Sequence, residues 1–517
     1  MEAFLSSKKS QIIIHGLFLI LCALLIVAAT PFGLGVSPDS VMYLAAARSL
    51  RDGNGLQTLQ WSGKFSFMGH FPPVFSLLLL VIPEIIQRNA VVMQILLLFF
   101  SSLVTYVLAK KVLKSEVLGR VAQILVVCSY PVLYVHTQVW SEPLMILGLL
   151  LIALLLVSYA ERKETKTLVL LTVITMFLPL IRYASLFVIP LVWGYVFLIN
   201  NEWNLFRFVP LLKAKKWKEI ILAKSVAIGH IIVLLAPYVL WQKYVGTHQT
   251  TVRPFSWHPI TQATASQGMN TIVGWFSPIY LGKLVTYGIA LLLCAVALII
   301  VINGVRSYFA QQKEKNYSLV IVGSIFALYL LFLVISISFF DSATPLDNRI
   351  LAPVFPLFVV TLLAQLASVK NGIWSLFIKG VVLAFVLTTI YKVVTFVSKS
   401  IGVGQEYADK TWQSSETIEA VKRLDDSRFL ISNSREGIYS ISGKPAATLP
   451  RKIDSKGKIS VTFSTEMKNL TATSSCVVFF KRTFWNSAKL PTEHDIQQLG
   501  IFNSVEKYAD GTIYCTK

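Results

Sequence analysis

Glu142-Pro143-Leu144-Met145-Ile146-Leu147-Gly148-Leu149-Leu150-Leu151-Ile152-Ala153-Leu154-Leu155-Leu156-Val157-Ser158-Tyr159-Ala160 decides the fold class of this chain. No residue after Glu142 in this stretch is charged. At about 1.5 Å per residue, a helix of this length crosses most of a ~30 Å hydrocarbon core. Being apolar on every side, it has no face for water. An acid at one end and Arg162-Lys163 at the other mark two membrane surfaces.

Ten similar runs flank it, at about 11–31, 90–109, 118–138, 167–181, 183–199, 220–241, 284–303, 317–340, 350–369 and 373–398. The expectation is an all-α polytopic membrane protein of about eleven transmembrane helices. The runs at 167–181 and 183–199 are short, and only Arg182 separates them. The first run is expected to be retained, because Pro31, Gly33 and Gly35 follow it in place of a small-residue cleavage site. Composition agrees: hydrophobic residues make up 55 %, charged residues 14 %, and the mean hydropathy is +0.65. A soluble chain carries about 25 % charged residues, so soluble and disordered classes are excluded.

Charge divides the chain. Residues 1–398 hold 13 of the 26 Asp and Glu, and the last 119 residues hold the other 13. A membrane domain over 1–399, with a long outer loop at 32–89, is therefore followed by a small soluble domain over 400–517. The net charge of +21 does not signal nucleic acid. The tail carries +4 of it and the membrane part +17, clustered in short loops as the positive-inside rule requires. With the N-terminus in the cytoplasm, 20 of the 30 basic residues in the membrane part fall inside. Eleven spans then place the tail outside a plasma or inner membrane.

The tail reads as an α/β domain. Ser414 and Ser415 can cap a helix through Leu424, residues 429–432 and 477–480 read as strands, and Asp510-Gly511 reads as a hairpin turn. Outside the cell, Cys476 and Cys515 either pair or stand as two unrelated thiols. Cys22, Cys128 and Cys294 lie in apolar runs.

Acids in a membrane protein are expensive and tend to be functional. The topology puts Asp39, Asp52, Glu84, Glu142, Asp341 and Asp347 on the outer side. Asp39 follows Ser37-Pro38 and has two readings, an N-cap or a catalytic carboxylate. Glu142 begins a span, a common place for an acid, yet it faces the same side as Asp39. Arg182 and Arg349 either anchor helices at the headgroups or bind phosphate, which suits a guanidinium fork. The short apolar stretch 74–86 reads as a helix lying in the interface. His70, His248 and His258 show no metal-pair spacing and read as loop or substrate contacts. Trp241, Trp257 and Trp275 read as sugar-stacking or interface residues.

Several of these motifs occur in a familiar order. They are Ser37-Pro38-Asp39-Ser40-Val41-Met42-Tyr43, Gly69-His70-Phe71-Pro72-Pro73, Ser141-Glu142-Pro143-Leu144, Arg182-Tyr183 and Asn348-Arg349-Ile350-Leu351-Ala352-Pro353. Together, over roughly residues 11–400, the chain resembles the GT-C superfamily of polytopic glycosyltransferases. The branch it most resembles is that of protein O-mannosyltransferases and lipid A aminoarabinose transferases. The resemblance implies a polyprenyl-phosphate-sugar donor, an acceptor hydroxyl on a protein, glycolipid or polysaccharide at the outer face, and inversion at the anomeric carbon. It implies Asp39 as general base and Glu142 as a second catalytic acid. Arg349 and then Arg182 are the expected phosphate ligands, with Tyr43 and His70 as further substrate contacts. Relatives often carry two adjacent acids where this chain has Asp39-Ser40. A divalent metal requirement is therefore left open, and no metal ligand is assigned. Three other readings stand beside this one: a flippase for a lipid-linked sugar, an oligosaccharide polymerase or ligase using a diphosphate carrier, and a scaffold subunit.

Overall fold

The computed structural model describes residues 7–82, 86–200, 217–248, 255–277, 317–368, 373–453, 462–472, 474–483 and 489–516, with 282, 288 and 460 as single positions. Among them, eight helices are long and apolar enough to cross a membrane. They are Lys8–Ala29, Ala90–Leu113, Glu142–Arg162, Tyr183–Asn200, Ser225–His248, Tyr317–Phe339, Asn348–Ala367 and Lys379–Val403. The run at 118–138 becomes two helices, Glu116–Val127 and Tyr130–His136, bent by 55°. Pro131 is the reason: it has no N–H for the Val127 carbonyl, and its ring crowds that turn. Ser129 Oγ donates instead to the Val126 carbonyl at 2.8 Å. The run at 167–181 becomes a shorter helix, Thr165–Phe177, and a 3₁₀ turn, Leu178–Leu180. The run at 284–303 lies outside the described residues, apart from Gly288. The chain is thus a helical integral membrane protein with a small sheet domain in its tail.

Backbone proximity divides the chain into two compact units. One comprises Met1–Ala28, Gly69–Val74 and Val92–Ser398; the other comprises Ala29–Met68, Phe75–Val91 and Lys399–Lys517.

In the first unit, small residues set close approaches between helices. A Cβ on Gly148 would lie 2.4 Å from Leu178 Cδ1, so the Glu142–Arg162 helix presses directly on the turn that precedes Arg182. At the N-terminal end of the Glu116–Val127 helix, a buried polar cluster joins three helices. Glu116 accepts from Gln11 at 2.8 Å and from Lys110 at 2.6 Å, while the Arg120 guanidinium lies 3.7 Å from the centre of the Tyr106 ring. Arg120, one of the basic residues counted on the inner side, is a buried helix residue; Nη1 donates to Gln123 Oε1 at 2.8 Å and Nε lies 3.8 Å from Glu116 Oε1.

The second unit is built on a five-stranded sheet. The first-loop segment contributes a hairpin of β1 (Gln57–Leu59) and β2 (Phe65–Phe67). The tail contributes β3 (Phe429–Ser432), β4 (Ala446–Thr448), β5 (Ser475–Phe480), β6 (Ser504–Lys507) and β7 (Gly511–Cys515), in the order β4-β3-β5-β7-β6. β3 is parallel to β4 and β5, while β7 is antiparallel to β5 and β6. Ile431, Met467, Val477 and Tyr514 form the heart of its core. Ser415 caps the Glu416–Arg423 helix. Cys476 and Cys515 face each other across β5 and β7 and form a disulfide, which settles the choice between pair and separate thiols.

The edge strand β4 is covered by the first-loop hairpin. Thr448 N donates to the Trp61 carbonyl at 2.8 Å, and Gly63, at φ +79°, approaches the Ala447 backbone so closely that a Cβ would sit 2.9 Å from its nitrogen. Covering the edge in this way removes a site for stray strand pairing. The stretch 74–86 contains a short helix, Val74–Leu80, with Phe75, Ser76 and Leu79 buried. Glu84 lies outside the described residues.

Candidate active site

The sequence places Asp39 at a helix start, and the structure shows how that start is made. The helix is Pro38–Arg51, and its N-cap is Ser37, not Asp39. Ser37 Oγ accepts from Ser40 N at 3.3 Å, and Ser37 N donates to Ser40 Oγ at 3.0 Å, closing a reciprocal capping box. Asp39 sits in the first turn, partly buried, where the helix dipole favours a negative charge. The capping task has already been filled, so that reading of Asp39 is withdrawn.

The rest of the second unit fixes this helix. Just before it, Val36 makes a parallel bridge with Glu406, and Tyr407 N donates to the Val36 carbonyl at 3.1 Å. Gln405 Nε2 donates to the Ala29 carbonyl at 2.8 Å. Toward its C-terminal end, the Arg48 guanidinium lies 5.5 Å from the centre of the Tyr439 ring. Tyr43, expected as a substrate contact, is 1 % exposed and packs edge-on against Phe75. Its ring is thereby held by packing within the second unit. Asp52, at the C-terminal end of the same helix, is exposed.

In the first unit, three residues distant in sequence converge. Glu142 is the first residue of the Glu142–Arg162 helix, behind Ser141 as N-cap and beside Pro143. Arg182 is held in extended backbone between two 3₁₀ turns. Arg349 lies in the short Asn348–Leu351 helix, capped by Asp347 Oδ1, which accepts from Arg349 N at 3.0 Å and Ile350 N at 3.1 Å. Arg182 Nη1 reaches Glu142 Oε1 at 2.9 Å and Ser141 Oγ at 3.1 Å. Arg349 Nε donates to the same Glu142 oxygen, and its guanidinium lies 4.1 Å from the centre of the Trp140 ring. The Glu142 side chain is fully buried, whereas each arginine keeps 15 % of its side-chain surface exposed.

This triad carries a net charge of +1, and its geometry is asymmetric. Oε1 takes both arginines, while Oε2 is buried with no hydrogen-bond partner. A buried carboxylate oxygen without a donor is costly and marks a place where an incoming N–H or O–H would be bound. The donors around it suit an anion rather than a divalent cation. Among the described residues, no three His, Cys, Asp or Glu side chains gather as a metal-ligand set.

Burial pushes the Asp347 carboxyl above its ordinary value, against the opposing N–H bonds of its cap. His70 is exposed, with Phe71 edge-on to its ring. Trp241 and Trp275 are buried and donate to Tyr183 Oη at 2.8 Å and Asn348 Oδ1 at 3.1 Å, so both pack within the bundle. Trp257 is exposed. Residue-by-residue reading missed the sharing of Glu142 by two arginines. The available signal was that all three carry buried-type charge beside Ser141-Glu142-Pro143, Ile181-Arg182-Tyr183 and Asn348-Arg349 at the same side of the membrane.

No family model and no curated protein matches the chain. Solved structures do. ArnT from Cupriavidus metallidurans bound to undecaprenyl phosphate superposes with a TM-score of 0.57 at 9 % identity, covering 98 % of both chains. The same protein in its apo state gives 0.57 at 10 % identity, also over 98 % of each. The Archaeoglobus fulgidus oligosaccharyltransferase, tethered to an acceptor peptide containing the NVT sequon, gives 0.53 at 10 % identity, over 97 % of this chain and 74 % of that one. At such identities the likeness is one of fold. The GT-C-like architecture expected from the sequence motifs is the architecture of the chain.

Proposed function

We propose that the protein is a glycosyltransferase that moves a sugar from a polyprenyl-phosphate carrier to an acceptor hydroxyl at the outer face of the membrane, with inversion. The observation that carries this reading is the Glu142-Arg182-Arg349 triad: two guanidiniums fixed on one buried carboxylate, in a chain whose fold is similar to that of a protein crystallised on undecaprenyl phosphate.

The chemistry sets the requirements. As the acceptor oxygen attacks the anomeric carbon and gives up its proton, the bond from that carbon to the bridging phosphate oxygen breaks, and its electron pair stays on that oxygen, so negative charge grows on the departing lipid phosphate. Arg182 and Arg349, held in place before the reaction, supply donors for that charge without reorganising. Glu142 holds the two guanidiniums in register through Oε1. Its open Oε2 accepts a hydroxyl of the donor sugar. In this reading Glu142 positions groups, and it does not act as the second proton-transfer acid that the resemblance suggested.

Asp39 is the proposed general base. It stands in the first turn of a helix whose cap is Ser37, and a carboxylate within reach of an attacking hydroxyl is suited to take its proton. His70 is retained as an outer substrate contact. Tyr43 braces the Asp39 helix from within.

The experiment offers purified protein in nanodiscs a panel of labelled polyprenyl-phosphate sugars with membrane extract as acceptor source. A new glycosidic bond with inverted configuration is expected. Labelled lipid that crosses the bilayer with no new bond would replace this reading with the flippase reading, and consumption of diphosphate carriers alone would replace it with the polymerase or ligase.

A further inference from the structure

Arg349 stands in a helix of four residues, Asn348–Leu351, too short to hold its own place. The segment leading into it, residues 346–348, is gripped by the Gln262–Gly274 helix. Both polar backbone groups of Leu346 are taken by side chains one helical turn apart. Leu346 N donates to Gln267 Oε1 at 3.2 Å, and the Leu346 carbonyl accepts from Thr271 Oγ1 at 2.8 Å. One turn further on, Trp275 Nε1 donates to Asn348 Oδ1 at 3.1 Å. The spacing 267, 271, 275 sets these side chains in one row along the helix. Between them Gly268 brings the backbone close: a Cβ there would stand 3.0 Å from Leu346 Cδ1.

The gripping helix is itself anchored at both ends. Before it, Ser256 N donates to the Phe339 carbonyl at 3.2 Å and His258 N to the Ser338 carbonyl at 2.7 Å, at the end of the Tyr317–Phe339 helix. After it, the Ile373–Val403 helix supplies two donors: Lys392 Nζ to the Gly274 carbonyl, and Thr388 Oγ1 to the Phe276 carbonyl at 3.0 Å. Trp275 packs edge-on against Phe355, with ring centres 5.0 Å apart. The contacts with 346–348 are hydrogen bonds, which fix direction as well as distance. The Thr271 hydroxyl has one proton, shared between the Leu346 carbonyl and the Gln267 carbonyl of its own helix at 2.9 Å.

We propose that Gln267, Thr271 and Trp275 are positioning residues for Arg349. They hold residues 346–348, and through them the Arg349 guanidinium against Glu142 Oε1, so that its other N–H groups meet the departing phosphate without rearrangement. This rests on the reading above that Arg349 serves the lipid phosphate, and adds the residues that set its place. A misplacement of about 1 Å in such a site costs on the order of 100-fold in rate. A side chain that never meets the substrate therefore carries a kinetic effect through the group it places.

Transfer is measured on the full chain in nanodiscs, with the labelled polyprenyl-phosphate sugar that the unsubstituted protein consumes, as a double-mutant cycle with Arg349. Thr271→Val keeps the shape and loses the hydroxyl. It is expected to lower kcat/KM roughly 10-fold, and Thr271→Ser to recover most of that. Trp275→Phe keeps an aromatic ring and loses the N–H, so it serves even where Thr271→Val does not fold. In an Arg349→Ala background, Thr271→Val and Trp275→Phe are expected to change kcat/KM by less than about twofold, because the group they place is gone. Losses by the same factor in both backgrounds would make the contacts purely structural and overturn the proposal. Full activity in Thr271→Val and Trp275→Phe, beside an impaired Arg349→Ala, would overturn it while leaving the transferase reading intact. Wild-type activity in Arg349→Ala would remove Arg349 from the reaction and the proposal with it. Consumption of no donor in the panel would overturn both readings.

Discussion

At the scale of single residues, the two arginines on Glu142 are not equivalent to lysines. Each guanidinium can keep one N–H on Glu142 Oε1 and present others to a phosphate, whereas an ammonium offers a single point of charge. Arg349→Ala or Arg182→Ala is expected to lower kcat/KM by roughly 10²- to 10³-fold, about 2–4 kcal/mol of transition-state stabilisation, and Lys at either position is expected to recover only part of it. Steady-state kinetics with a defined donor checks this, and a variant that folds and retains full kcat/KM would remove that arginine from the reaction. A second residue-level effect belongs to the tail. Burial acts to raise the Asp510 carboxyl, yet hydrogen bonds from Ser415 Oγ, Thr417 Oγ1 and Thr417 N outweigh it and hold it below its ordinary value. A carboxyl depressed in the folded state contributes stability above its unfolded value of about 3.9, and that stability is lost as pH falls through the folded value. Hydrogen exchange at the start of the Glu416–Arg423 helix is therefore expected to accelerate below about pH 4, and Asp510→Asn to flatten that dependence.

At the scale of elements, the position of Arg182 depends on a contact between a helix and a turn. Gly148 lets the Glu142–Arg162 helix meet Leu178 without a side chain between them. Gly148→Val is expected to push the Leu178–Leu180 turn outward and cost about 1–3 kcal/mol of stability through overpacking. Because that turn leads into Arg182, activity is expected to fall further than thermal stability does. Equal losses in both would make the contact purely structural. Elements were also where the sequence was most and least legible. Long apolar runs, the Ser415 cap and the tail strands followed from periodicity and capping rules. The Pro131 bend did not, because an uninterrupted apolar run hides a break that only backbone hydrogen bonding reveals. Asp39 after Pro38 satisfies the same local rule as a cap, and only the mutual bonds of Ser37 and Ser40 decide between them. Glu142 and Arg349 are 207 residues apart. Placing them on one side of the membrane was within reach of charge counting, but placing them in contact was not.

At the scale of the whole molecule, residues 29–68 and 75–91 fold with the tail rather than with the helices that precede and follow them. Local pattern cannot show this, since β1 and β2 pair with each other and only the turn between them, at Trp61 and Gly63, meets the tail strand β4 far along the chain. The consequence is that the segment bearing Asp39 and the tail are one folding unit, so tail truncation is expected to unfold the Asp39 helix as well. The orientation proposed from the positive-inside bias makes that unit extracytoplasmic. Single cysteines placed at exposed positions Lys163 and Glu466, in a background with Cys22, Cys128 and Cys294 replaced, are expected to react with a membrane-impermeant maleimide on intact cells only at 466. Labelling at 163 alone would invert the topology and put the proposed chemistry on the wrong side of the membrane.

The central claim is that Asp39 takes the acceptor proton as the sugar is transferred. It is tested most directly by single-turnover transfer in nanodiscs, comparing wild type, Asp39→Asn and Asp39→Glu with donor binding and thermal unfolding measured on each. The expected result is a fall of roughly 10²- to 10⁴-fold in the transfer rate for Asp39→Asn, with donor affinity and unfolding temperature close to wild type and partial recovery in Asp39→Glu. An Asp39→Asn protein that is folded, binds donor and transfers sugar at the wild-type rate would contradict it.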